Sequence, residues 1–201
     1  MLGSILKFII AKKKFFPPKK TNILFLDKIF LEEISRSLDK NQVSFLDIRM
    51  NEINLYVIFF MLIKFKKINF KNYLRNYILL SNCKVVITGF DNYVFFYSLK
   101  NFFPDKKFIS IQNGYRNFKF YKNLKKYKNL KADYIIGFNK SYCNLYEKHI
   151  KTKTISLGSV RNNYYRINKK GSNKKRLLFI SNGNSATRTI QKNSGLKFVG
   201  K

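Results

Sequence analysis

The chain has 201 residues, of which 41 are Lys or Arg and 10 are Asp or Glu, giving a formal net charge of +31. At 45% hydrophobic and 17% aromatic it is not a disordered polymer, because disorder goes with low hydrophobicity; its length suits one full domain and part of a second. Two distant cysteines, Cys83 and Cys143, and a single histidine, His149, exclude a zinc-type ligand set and read as free thiols of a reducing compartment.

Residues 1–20 read as a basic N-terminal tail, closed by Pro17 and Pro18. No signal peptide is expected there, because the lysines follow the apolar stretch rather than precede it. Ile23 to Asp27 (ILFLD) reads as a first strand, followed by a helix carrying Phe30, Ile34 and Leu38. Val43 to Arg49 reads as a second strand, and Ile53 to Lys64 as a buried helix. The apolar run in that helix, Ile53 to Ile63, is about half of the ~20 residues a membrane span needs. Phe70, Tyr73, Leu74, Tyr77 and Ile78 form a helical stripe. Lys84 to Phe90 is a third strand, after which Asp91 is placed to cap a helix whose stripe is Phe95, Phe96, Leu99, Phe102 and Phe103. Lys107 to Asn113, Asp133 to Phe138 and Lys153 to Gly158 complete six strands. Asn139 is placed to cap a helix bearing Tyr142, Leu145, Tyr146 and His149, which packs His149 on an apolar face.

Strands alternating with helical patterns predict an α/β fold, a doubly wound parallel Rossmann-like sheet over residues 21–165. Apolar runs such as Val85–Thr88 suit strands covered on both faces. Residues 166–201 read as a linker and the truncated start of a second domain, with a seventh strand at Arg176 to Ser181.

In such a sheet ligands bind at the carboxyl ends of strands. The polar residues at those ends are Asp27, the Arg49–Glu52–Asn54 group, the Gly89–Asp91–Asn92 turn, the Gln112–Asn113–Gly114–Arg116 turn, Asn139, and the Gly158–Ser159–Arg161–Asn162 turn. Gln112-Asn113-Gly114 offers two amides and a tight turn, with Arg116 suited to a phosphate or carboxylate; an ordinary Asn-Gly turn fits equally. Glu52 can serve as a general base on a hydroxyl, cap the helix near Ile53, or pair with Arg49. Asp91 is open to a capping role or a ligand role, and Ser159 with Arg161 to phosphate binding or a hinge turn. No P-loop, GxGxxG, GxSxG or HExxH motif is present.

The positive charge points to an anionic partner, yet the lysines are spread along the chain, as a base-composition bias would spread them. Phe118 to Lys131 reads as a basic amphipathic helix, open to a membrane-surface role or to a solvated face. RNP, KH and helix-turn-helix signatures are absent, so no specific nucleic-acid partner is expected; a non-catalytic basic module for nucleic acid or anionic membrane is the alternative reading.

Taken in order, ILFLD, FLDIRMNEINLYVIF, VVITGFDNYVFFYSLKNFFPDKKFISIQNGYRN, ADYIIGFNKSYCNLY and ISLGSVRNN resemble bacterial surface carbohydrate biosynthesis proteins of the GT-B glycosyltransferase group. They are also distantly similar to CDP-glycerol glycerophosphotransferases. The resemblance implies two Rossmann-like domains, the N-terminal one binding a glycan or lipid-linked acceptor and the C-terminal one, cut short here, a nucleotide-activated sugar donor. It implies transfer of a sugar or polyol phosphate without a cofactor or metal, in the cytoplasm or at the inner face of the plasma membrane. Related enzymes often carry a histidine at the position of Asn113. Asn113 cannot act as a base, which moves the catalytic expectation to Glu52. Asn54, Asp91, Gln112, Asn113, Gly114, Arg116, Ser159 and Arg161 are then the expected substrate-binding residues.

Overall fold

A computed structural model describes residues 10–49 and 51–164. The linker and seventh strand expected after residue 165 lie outside them. The strands are β1 (Lys12–Lys14), β2 (Ile23–Leu26), β3 (Val43–Leu46), β4 (Glu52–Asn54), β5 (Val85–Thr88), β6 (Lys107–Ile111), β7 (Lys131–Gly137) and β8 (Lys151–Ser156). The helices are α1 (Leu31–Ser35), α2 (Leu55–Ile63), α3 (Phe70–Ser81), α4 (Val94–Leu99), α5 (Phe118–Leu124), α6 (Lys140–Glu147) and α7 (Val160–Tyr164).

Six strands form one parallel sheet in the order β3-β2-β5-β6-β7-β8. The chain runs outward from β2 to β3, then returns past β2 to β5 and continues in the other direction. This reversal makes the β2/β5 boundary the topological switch point, where open α/β sheets form ligand crevices. The register pairs Leu26 with Leu46 and with Thr88, and Thr88 with Ser110. The polar residues that follow these strands therefore share one rim.

Alternate side chains feed opposite faces, as the two-residue strand period requires. Leu24, Leu26, Val86, Phe108 and Ile135 join a large core that includes Leu74, Ile78, Phe96 and Tyr146. Phe25, Ile87 and Ile111 point the other way, under Leu31 and Ile34 of α1 and Val160 of α7. The stripe expected over residues 70–78 is the buried face of α3. The six strands and their doubly wound arrangement match the reading of the sequence.

Asparagine starts most of the longer helices. The side-chain oxygens of Asn54, Asn69, Asn117 and Asn139 accept from the backbone N–H of Val57, Asn72, Phe120 and Tyr142, each cap worth about 1 kcal/mol. Asn139 was the expected cap of its helix; Asp91 is not a cap, because α4 begins after Tyr93 with no side-chain cap.

Four expectations need correction. The helix read from Ile53 begins at Leu55, since Ile53 and Asn54 belong to β4. It buries only Val57 and Met61 and leaves Phe59, Leu62 and Ile63 exposed. The basic helix read over residues 118–131 stops at Leu124, because Tyr121 and Leu124 are the residues of this helix that reach the core and only lysines, an exposed Tyr127 and Asn129 at positive φ follow before Leu130. His149 lies beyond α6, which ends at Glu147, so it is half-buried at the turn into β8 rather than packed on a helical face. Within the N-terminal tail, Lys12–Lys14 pair in parallel with Glu52–Asn54, a strand no apolar pattern announces.

α2 ends in a Schellman turn: Lys66 N–H donates to Met61 C=O and Phe65 N–H to Leu62 C=O. Phe65 occupies the left-handed position, φ 49°, where glycine or asparagine is usual and a bulky side chain costs about 1–2 kcal/mol.

Gly89 closes the switch point. A Cβ there would lie 2.3 Å from Ile29 Cγ2 and 2.8 Å from Ile29 Cβ, so only glycine lets the β2–α1 loop seat against β5. Gly89→Ala is expected to lower unfolding free energy by about 1–3 kcal/mol through overpacking, measured as a lower urea midpoint at unchanged m-value.

Candidate functional site

The carboxyl-end rim divides into a closed half and an open half. The closed half is built around Asp91, whose side chain is 0% exposed. Its Oδ1 accepts from Asn113 N–H at 3.1 Å and from Arg116 Nη2 at 2.5 Å; its Oδ2 accepts from Arg116 Nε at 2.6 Å and from the Tyr146 hydroxyl at 2.5 Å. Four hydrogen bonds therefore satisfy a buried carboxylate, two of them from one guanidinium in the two-pronged geometry that makes such pairs strong. Tyr97 OH donates to Asp91 C=O and lies 3.1 Å from Ser110 Oγ.

The residues of the glutamine–asparagine–glycine corner are absorbed by the same network. Gln112 is 1% exposed; its Nε2 donates to Gly114 C=O and its Oε1 accepts from Phe138 N–H. The amide thus staples the β6 loop to the end of β7. Asn113 Oδ1 accepts from Arg116 Nη2, and Arg116 Nη1 donates to Tyr115 C=O. Gly114 has no positive φ, and a Cβ there would meet only the Arg116 guanidinium at 3.5 Å. The tight turn read from this glycine is therefore not what the loop uses. Asp91, Gln112 and Arg116, expected at a ligand, spend their hydrogen bonds on the protein.

The electrostatics agree. Burial by itself lowers the Arg116 pKa, but the hydrogen bond and charge of Asp91 outweigh it and the net shift is upward. Burial first, then the Asp91 charge, pushes the phenols of Tyr97 and Tyr146 far up. Tyr121, also raised by burial first, reaches about 12.

The open half lies over β2 and β3. Lys12, Asp27, Lys28, Asp47, Arg49 and Glu52, with Ile29, Asn51 and Arg161, line a cleft of about 580 Å³. Asp27 is its sharpest feature. It follows β2 directly, is 7% exposed, and holds φ at 78°. Left-handed backbone on a non-glycine residue at a strand end is stored strain of the kind found at ligand sites. Its N–H donates to Leu46 C=O, tying it to β3. Its Oδ1 accepts from Lys28 N–H, whereas Oδ2 accepts no hydrogen bond and has Arg49 Nε 3.1 Å away. Arg49 also lies over the Phe90 ring, 5.0 Å from its centroid, and so bridges the switch point. Asp47 shapes the next turn, accepting from Arg49 N–H and Asn51 Nδ2.

Glu52 lines this cleft and forms an ion pair with Lys14 of β1; it neither caps α2 nor pairs with Arg49. Arg161 reaches the same cleft from α7, 3.4 Å from Glu33. Asn54 and Ser159 do not join them. Asn54 is buried, caps α2 and donates from Nδ2 to Phe16 C=O; Ser159 Oγ accepts from Asn162 N–H at the start of α7. The structure thus unites Glu52 and Arg161 with Asp27 and Arg49, also singled out at strand ends in the sequence, and adds Lys28 and Asp47. The signal for Asp27 was present in ILFLD, an apolar strand ending in one of only ten acids. What the sequence could not show is its positive φ.

Among the described residues no cluster of three or more His, Cys, Asp or Glu could hold a metal ion, and no helix is long and apolar enough to cross a membrane. Cys83 and Cys143 are buried and free.

Residues 109–201 match a family model described as "putative O-antigen biosynthesis protein". The match begins inside β6, includes the Gln112–Arg116 corner and Arg161, and leaves Asp27 and Glu52 outside. It supports a role in surface-carbohydrate biosynthesis. No curated protein and no solved structure matches the chain.

Two outcomes test the closed half. Asp91→Asn leaves Arg116 without a counter-charge and is expected to cost about 3–5 kcal/mol, read from chemical denaturation. Because the phenols of Tyr97, Tyr121 and Tyr146 have folded pKa values above the ordinary 10, the stability they contribute is complete below pH 10 and is lost as pH rises beyond it. The last phase of phenol ionisation at 295 nm should therefore coincide with unfolding by circular dichroism; complete ionisation of all 13 tyrosines while the fold persists would contradict this packing.

Proposed function

We propose that this chain works in assembling a bacterial surface carbohydrate as the acceptor-binding part of a glycosyltransferase-type enzyme, with the acceptor seated in the cleft over β2 and β3. In this reading residues 21–165 are the acceptor-side domain and residues 166–201 lead toward the donor side. Three observations support it: the family match over residues 109–201, a parallel sheet with its polar rim at the strand carboxyl ends, and above all Asp27, a buried, strained carboxylate with one oxygen accepting no hydrogen bond.

The chemistry follows from the residues. Once the Arg49 side chain moves off Asp27 Oδ2, which it covers in the resting site, that oxygen accepts from an acceptor hydroxyl and takes its proton as the hydroxyl oxygen attacks the anomeric carbon of a nucleotide-activated sugar. The new glycosidic C–O bond forms as the bond to the diphosphate breaks. The backbone N–H of Lys28 holds the other oxygen, Oδ1, and keeps the carboxylate in one orientation, an advantage of position over raw basicity. Glu52, held by Lys14, accepts from a second hydroxyl of the sugar. Lys28 and Arg161 give the rim positive charge, suited to a phosphorylated donor. The Asp91–Arg116 lattice keeps the neighbouring loops rigid and touches no substrate.

The test is complementation. In a strain deleted for this protein, the wild-type chain should restore the surface-polysaccharide ladder on a gel. Asp27→Asn should abolish the ladder with protein levels unchanged, and Glu52→Ala should reduce it by about tenfold, as loss of one positioning hydrogen bond predicts. A normal ladder with both substitutions combined would remove the cleft from the reaction.

A further inference from the structure

The end of α2 and the loop after it carry more exposed large apolar side chains than any other segment of the described chain. Phe59, Leu62 and Ile63 stand exposed along one side of the helix, and Phe65 and Ile68 follow them. Phe65 is 98% exposed and sits at φ 49° in the Schellman turn. Two independent costs fall on this residue, an aromatic ring in water and a backbone position that disfavours it. Neither has a return inside the protein, since the ring packs on nothing there. Observed strain of this kind points to a role outside the fold.

The charge around the patch has one sign. Residues 53–90 contain six cationic residues, Lys64, Lys66, Lys67, Lys71, Arg75 and Lys84, and no Asp or Glu. Beside the apolar ridge, Lys66, Lys67, Asn72, Arg75 and Phe102 help line a hollow of about 420 Å³. Arg75 is stacked on Phe102, 3.5 Å from its centroid, and its buried Nε has no hydrogen-bond partner. Burial lowers the Arg75 pKa, as expected for a cation lacking a counter-charge.

From this geometry we infer that the α2 tip is a membrane-docking surface: Phe65, with Leu62 and Phe59, enters the interface of an anionic phospholipid bilayer, while the surrounding lysines and Arg75 engage lipid phosphates. Apolar side chains on a helix end, flanked in sequence by exposed lysines, suit that boundary. A protein partner or a second copy would also cover apolar residues. The uniform positive charge favours the bilayer, because a second copy would bring like charges together. The basic segment at residues 118–131, by contrast, is a seven-residue helix with two core residues. The inference stands on exposure, charge and backbone geometry and is independent of the transferase reading.

The chain contains no tryptophan, so a single introduced one reports its own environment. In the full chain, Phe65→Trp emission should shift to the blue on adding phosphatidylglycerol/phosphatidylcholine vesicles and stay unchanged with phosphatidylcholine alone. Phe118→Trp, at another exposed position, should not shift with either. The variant Phe59→Ser/Leu62→Ser/Phe65→Asn keeps the +31 charge and suits the left-handed turn. With an unchanged circular dichroism spectrum, it should bind the anionic vesicles at least about tenfold more weakly in sedimentation assays, as lost apolar insertion requires. Three results would overturn the proposal: equal vesicle binding by the triple variant, which would mean diffuse electrostatics; Phe65→Trp emission already blue without lipid; or a blue shift that follows protein concentration, which would assign the patch to self-association.

Discussion

A single buried carboxylate organises the carboxyl-end rim of this sheet. Asp91 follows β5, yet its hydrogen bonds go to the β6 loop through Asn113 and Arg116 and to α6 through Tyr146. Burying a charge is costly unless it is fully partnered, and here every oxygen is. The loops after β5 and β6, together with α6, are therefore fixed relative to one another by a constraint that cannot be relaxed piecemeal. Gln112 carries it one strand further, to Phe138 beyond β7.

That rigidity bears on where we propose a ligand is received. With Asp91, Gln112 and Arg116 spent on internal hydrogen bonds, the charged groups over β2 and β3 form the more open part of the rim. There the backbone is strained at Asp27, the carboxylate is only partly satisfied, and cations from β1, β3 and α7 converge on one cleft. The family match rests largely on the locked side and beyond. The cleft is defined by physical features alone.

The sequence showed the sheet and missed much of the site, for identifiable reasons. Strands such as Val85–Thr88 are continuous apolar runs, and a parallel sheet covered on both faces produces that pattern. Helix α3 was visible because its stripe carries the period of its own burial. Lys12–Lys14 gave no such signal, since three lysines show no apolar alternation and the strand is held by its backbone and the Lys14–Glu52 ion pair. Asp91 looked like a cap because capping is local, whereas its true partner, Arg116, is 25 residues away. Gln112 looked like a ligand-binding amide because its acceptor role toward Phe138 exists only after β6 and β7 pair. Glu52 drew notice through the scarcity of acids, and the fold does bring it to the cleft. The exposure of α2 was hidden by its composition, since an apolar helix reads as buried whichever way it faces.

The central claim is the division of the rim into a locked lattice and a receptive cleft. Its most direct test is a titration of the full isotope-labelled chain with a panel of methyl glycosides, followed by backbone amide resonances. The account predicts saturable shifts at Asp27, Lys28, Ile29, Asp47, Arg49 and Asn51, with Asn113 to Arg116 unmoved. Shifts confined to residues 112–116, with the β2 and β3 ends silent, would contradict it.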